Sequence, residues 1–158
     1  MKILHLADLH LGKRVNEISM IEDQKYILDQ IITLIKEENV GIVLLCGDIY
    51  DKSIPTIEAI HLLDDFLDEL SKMGTKVLMI SGNHDSAERL SFGAKLFESS
   101  DIYISQVYDG EMKRIVLKDQ YGSISVYLLP FLKPAAVRHA LQRDDINTYE
   151  EGVMAALQ

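Results

Sequence analysis

Three short apolar runs, "KILHLA" (2–7), "GIVLLC" (41–46) and "TKVLMIS" (75–81), constrain this chain more than any other feature. Each is rich in branched residues and is ended by polar residues or glycine, the signature of a short buried strand. The intervals between them are helical in period. In "MIEDQKYILDQIITLIKEEN", Ile27, Ile31, Leu34 and Ile35 recur at helical spacing, and Asn39 and Gly41 supply a stop. In "TIEAIHLLDDFLDELSKM", Ala59, Leu62, Leu63, Phe66, Leu67 and Leu70 mark one face, after Ser53 and Pro55 and before Gly74. Strand, helix, strand, helix, strand in that order favours a parallel sheet with right-handed crossovers. The expected class is α/β.

Beyond residue 85 the period changes. "SAERLSFGAKLFES" predicts a helix, and "DIYIS", "MKRIVLKD" and "SISVYLLP" predict strands, the last two joined by a hairpin at "DQYG". "TYEEGVMAALQ" opens as a further helix. No repeat, low-complexity tract or linker marks a second domain, so residues 1–158 are expected to form one domain, with 47% apolar residues to build its core. The single cysteine, Cys46, excludes an internal disulfide and fits a reducing cytoplasm. No apolar run approaches the roughly 20 residues of a membrane helix, and Asp8 interrupts any signal-like start. The net charge of −9 argues against a protein that coats DNA by electrostatics alone.

The polar residues that carry chemistry cluster where the three strands end. The first runs into "ADLHLGK" with Asp8 and His10, the second into "CGDIYD" with Asp48 and Asp51, the third into "SGNHD" with Asn83, His84 and Asp85. In an open parallel sheet those ends face one crevice, where ligands bind. Asp8 and His10, two apart in an extended segment, would point the same way and share an ion. Asp48 could bridge two ions through its two oxygens, and the Asn83 amide oxygen could ligate the second. Mixed Asp, His and Asn ligation suits manganese, iron or zinc. Gly47 and Gly82 fit turns at which backbone comes close to such ions.

D-x-H, G-D-x-x-D and G-N-H-D, arriving in order and each after a buried strand, resemble the signature of the calcineurin-like metallophosphoesterases. The resemblance implies a layered α-β-β-α sandwich with a mostly parallel first sheet. It implies two metal ions, one held by Asp8, His10 and Asp48 and the other by Asp48 and Asn83. His84 would stabilise the transition state or protonate the leaving oxygen, with Asp85 orienting its ring. "KILHLADLHLGK", "GDIYDKSIP", "SGNHDSAERL" and "LLPFLKP" further resemble the SbcD branch of bacterial DNA nucleases. Leu11 and Lys52 stand where phosphoprotein phosphatases tend to carry glycine and arginine. That branch implies manganese, exonuclease and endonuclease action in DNA repair, recombination and replication, an SbcC-type ATPase partner and a homodimer. The nearest alternative is a metallophosphatase or cyclic-nucleotide phosphodiesterase acting on a small substrate. A non-catalytic assembly subunit is the alternative from a different class.

The family's site also uses a histidine from a fourth motif and two from a G-H-x-H motif, and this sequence has no G-H-x-H. The chain is therefore expected to be the N-terminal part of a longer enzyme, truncated before the last metal-ligand motifs, binding metal weakly and nearly inactive alone. Of the remaining histidines, His5 is expected to pack within the first strand and His61 to sit on a solvated helix face. His139 is the one candidate for a substitute ligand. Lys13 and Arg14 follow His10 closely, where they could meet a DNA phosphate.

Overall fold

The computed structural model describes residues 1–158. Its centre is a four-stranded, wholly parallel sheet in the order β1 (Ile3–Leu6), β4 (Ile42–Cys46), β5 (Lys76–Ile80), β6 (Ile102–Ile104). A two-residue ribbon, β2 (Arg14–Val15) with β3 (Ile18–Ser19), follows the first strand and leaves no periodic signal in so short a stretch. The two long crossovers are α1 (Ile21–Glu38) and α2 (Ile57–Lys72). The α/β class is the observed one.

One face of the sheet carries Val43, Leu45, Val77, Met79, Ile102 and Ile104, packed against the two long helices in a single buried cluster. All six apolar positions assigned to the second helix are buried, and Thr56 caps its start by accepting from the Ala59 N–H. His61 lies on the exposed face of the same helix, as expected. In α1 the buried stripe is Leu28, Ile32 and Ile35, whereas Ile27 and Leu34 are exposed. This segment is apolar on two adjoining faces, and packing selects only one of them.

The opposite face is covered by an antiparallel hairpin, β7 (Lys113–Asp119) and β8 (Gly122–Leu128), which forms the second β layer. Leu117 and Leu128 of the hairpin bury Ile42 and Leu78 of the sheet. That cover reaches β4 but leaves the edge strand β1 bare, so His5 and Ile3 are exposed. The expectation that His5 packs inside is corrected on that ground.

The helix expected over 86–99 is broken. Two single turns, α3 (Ala87–Leu90) and α4 (Ala94–Phe97), flank Gly93, whose φ of +75° is left-handed and cannot continue a helix. A 3-10 turn, Glu98–Ser100, leads into β6. Near the C-terminus α5 (Pro134–Leu141) and α6 (Tyr149–Ala156) enclose a small core of Tyr108, Leu132, Val137, Ile146 and Ala156. α6 starts with a capping box between Thr148 and Glu151. No helix is long and apolar enough to cross a membrane.

Leu45, fully buried in the central strand β4, reads out the core: Leu45→Ala is expected to cost about 2–5 kcal/mol in urea unfolding.

Candidate metal centre

The pairing of β1 with β4 does not stop where the strands stop. Asp8 N–H donates to Gly47 O at 3.1 Å, His10 N–H to Asp48 O at 2.9 Å and Leu11 N–H to Ile49 O at 2.9 Å, while Asp51 N–H returns to Leu11 O at 3.1 Å. The D-x-H and G-D-x-x-D loops thus run on side by side. Doing so bends them out of the extended form: Asp8, His10 and Asp48 adopt left-handed φ values of 59°, 45° and 47°. Such residues cost roughly 1–3 kcal/mol each and persist where surrounding bonds over-determine them. The extended geometry expected for Asp8 and His10 is therefore replaced by two left-handed turns, yet the two side chains still converge.

His10 Nε2 lies 3.9 Å from Asp8 Oδ1 and 3.9 Å from Asp48 Oδ2. Those separations are too long for hydrogen bonds, and they leave room for an ion among the three donors. The ligand atoms of His10, Asp48 and His84 all lie within 4.8 Å of one another. The His10 and His84 rings meet edge to face, 4.8 Å between centroids. Asp48 is buried, its side chain 11% exposed, while Asp8 is 72% exposed and forms the open rim. Asn83 is exposed and joins Asp8, Asp48 and Gly82 around a depression of about 270 Å³.

The third loop is set by backbone bonds. Asp48 Oδ1 accepts the His84 N–H at 2.9 Å. Gly82 packs so closely on Asp48 that a Cβ there would fall 2.1 Å from Asp48 Oδ1, and a Cβ on Gly47 would meet Gly82 Cα at 3.0 Å. Both glycines are thus required by the approach of one loop to the next.

Asp85 takes a different part from the one expected. Its buried carboxylate accepts from Gly82 N–H at 2.8 Å, Tyr50 N–H at 2.9 Å and Ile49 N–H at 3.1 Å. These are charge-assisted bonds that tie the G-D-x-x-D loop to the G-N-H-D loop. The His84 ring is held instead by the Asp51 carbonyl, 2.9 Å from Nδ1. That bond is the main cause of a His84 pKa raised above the ordinary histidine range; burial opposes it, and the carboxylates of Asp48, Asp51 and Asp85 add to it. Since a carbonyl can only accept, Nδ1 carries a proton and Nε2 is the nitrogen free to exchange one.

Asp51 acquires a part that the strand-end pattern alone does not assign. Besides holding His84, it places Oδ1 3.7 Å from His10 Nδ1, a buried nitrogen with no hydrogen-bond partner. A carboxylate behind the non-ligating nitrogen is the usual support for a metal-bound histidine. The second aspartate of G-D-x-x-D is the available signal. His139, by contrast, is exposed in the last turn of α5 and joins no such group.

A parallel sheet whose strand ends converge on Asp, His and Asn side chains defines a site for divalent metal ions. A family model, calcineurin-like phosphoesterase, matches residues 1–145, and the chain belongs to that family. Membership implies divalent metal ions. The residues present fit them: His10 Nε2 and the carboxylates of Asp8 and Asp48 held at non-bonding distances, and a glycine cradle shaped to the Asp48 carboxylate.

Asp85→Asn keeps the shape of the side chain but loses its charge and turns an NH2 group toward backbone donors. It is expected to lower unfolding free energy by about 2 kcal/mol, measured by urea titration without metal. An Asp85 that served only the His84 ring would leave stability unchanged.

Proposed function

We propose that this chain carries the metal-binding part of a two-metal DNA nuclease of the SbcD type, an exonuclease on duplexes and an endonuclease on single strands, active in repair, recombination and replication. The observation that carries the reading is the convergence of metal-type donors at the ends of three parallel strands: Asp8, Asp48 and Asn83 line one depression, and His10 Nε2 lies 3.9 Å from both Asp8 and Asp48. Exposed cations on the same loops, Lys13, Arg14 and Lys52, favour a phosphodiester chain over a small ester. Leu11 supports the same branch; it is buried and bridges to Tyr50, so its loop is closed by packing.

Asp8, His10 and Asp48 would hold one ion and Asp48 with Asn83 the other, manganese in each. Bound there, such ions polarise phosphoryl oxygens and make water nucleophilic near neutral pH. The chain's own contribution is positional and protic. Asp48 keeps one oxygen on the His84 N–H and turns the other toward His10. His84, fixed through Nδ1, presents Nε2 to the leaving oxygen as general acid.

DNA is the proposed substrate, and resemblance alone supports an SbcC-type ATPase as partner. A homodimer is proposed on the same resemblance, and Ile57, Phe92 and Leu96, 70%, 85% and 78% exposed, are apolar side chains that a second copy would cover. The single free cysteine fits a cytoplasmic site of action.

Manganese titration by calorimetry tests the centre: weak binding in the parent chain, abolished by Asp48→Ala, is the expected result. For the substrate, manganese-dependent cleavage of linear DNA is compared with that of nitrophenyl phosphate esters. Low residual activity directed at DNA and lost in His84→Ala supports the nuclease. Hydrolysis of the small ester with no action on DNA refutes it.

A further inference from the structure

The D-x-H loop is held from both sides, and only one side belongs to the sheet. On the other, Gln24 in the first turns of α1 inserts its carboxamide among three backbone groups of the loop. Its Oε1 accepts the Gly12 N–H at 2.9 Å, and its Nε2 donates to Leu9 O at 3.1 Å and His10 O at 2.7 Å. Both polar atoms of the amide are therefore spent on residues 9 to 12, twelve or more positions away in sequence. The Gly12 N–H has no other acceptor.

The surroundings raise the value of these bonds. Leu9, Leu11, Met20, Ile27 and Leu28 line a mostly apolar hollow of about 260 Å³ against which Gln24 lies. Polar groups beside such a surface have fewer waters to replace a lost partner. Gly12 is also left-handed, at φ +86°, and a Cβ on it would meet Ala59 Cβ at 3.0 Å. The loop is thus pressed on α2 and cannot slide to find new bonds.

We infer that Gln24 is a positioning residue for the metal centre, its carboxamide holding the Leu9–Gly12 backbone so that His10 keeps the left-handed turn from which Nε2 faces Asp8 and Asp48. The inference rests on the metal-centre reading above. Gln24 touches neither ion nor substrate; it acts through His10. The bonds from its Nε2 constrain the carbonyls on either side of the His10 Cα, which fixes the direction of the imidazole. Loss of the amide frees that direction without removing any ligand.

The test uses the whole chain and manganese alone as probe, with Gln24→Met, which keeps length without polarity, and Gln24→Glu, which keeps only the acceptor for Gly12. Val137→Ala, in the small C-terminal core and remote from the loop, controls for general loss of stability. Both Gln24 variants are expected to weaken manganese binding by about 10- to 100-fold, and Gln24→Met to speed hydrogen exchange at the Gly12 amide in metal-free protein, whereas Gln24→Glu keeps that amide bonded. Val137→Ala should lower the unfolding midpoint and change neither readout. Should Gln24→Met fail to fold, Gln24→Glu, which loses only the bonds to Leu9 O and His10 O, carries the comparison of manganese affinity. Manganese affinity within about two-fold of the parent overturns the inference, as does unchanged Gly12 exchange in Gln24→Met. If the parent itself binds no manganese, the metal-centre reading is what fails. Gly12 exchange then still decides whether Gln24 holds the loop.

Discussion

The Asp85 carboxylate is the interaction on which the site depends. Strands β4 and β5 end at Cys46 and Ile80, and the chain must leave both in tight turns that expose backbone N–H groups to one another. Three of those groups, on Ile49, Tyr50 and Gly82, find their acceptor in this one side chain. The need is mutual, since buried amides without acceptors are costly and a buried carboxylate without donors is costlier still. With the two loops tied, Gly47 can lie on Gly82, Gly82 on Asp48, and Asp48 under the N–H of His84. Remove the tie and each of those close approaches loses its reason.

Much of this is legible in the sequence, and the division has physical causes. Strands over 42–46 and 76–80 and the helix over 57–72 follow from periodicity, because each buries a stripe whose spacing is written in the residues. The break within 86–99 is hidden because "SAERLSFGAKLFES" has helical composition, and only the left-handed turn at Gly93 divides it. The exposure of His5 is hidden because burial on an edge strand depends on what a distant hairpin covers. In the site, motif and strand end together reveal the residues that bear metal-type donors. They do not reveal those that work through backbone: sequence adjacency pairs Asp85 with His84, and Gln24 passes as one polar position on a helix. Hydrogen bonds from a side chain to a remote main chain leave no periodic trace.

An acidic protein with 25 aspartates and glutamates against 16 lysines and arginines must meet an anionic phosphoester by a chosen face. The loops around the depression supply one. Lys13, Arg14 and Lys52 are exposed on or just beyond the D-x-H and G-D-x-x-D loops, whose Asp8 and Asp48 carboxylates would be neutralised by bound cations. Charge at this end of the sheet is thus conditional on metal, so that affinity for an anionic phosphoester and metal occupancy are linked quantities.

The three loops come from residues 8–10, 48–51 and 83–85, each separated from the next by a whole crossover helix. No two of them can meet until β1, β4 and β5 have paired, and parallel pairing across such intervals is slow because loop closure precedes any reward. The ligand set therefore has no local precursor in the unfolded chain. A metal ion cannot nucleate this fold; it can only select molecules in which the sheet is already assembled, and its uptake marks the last stage of maturation.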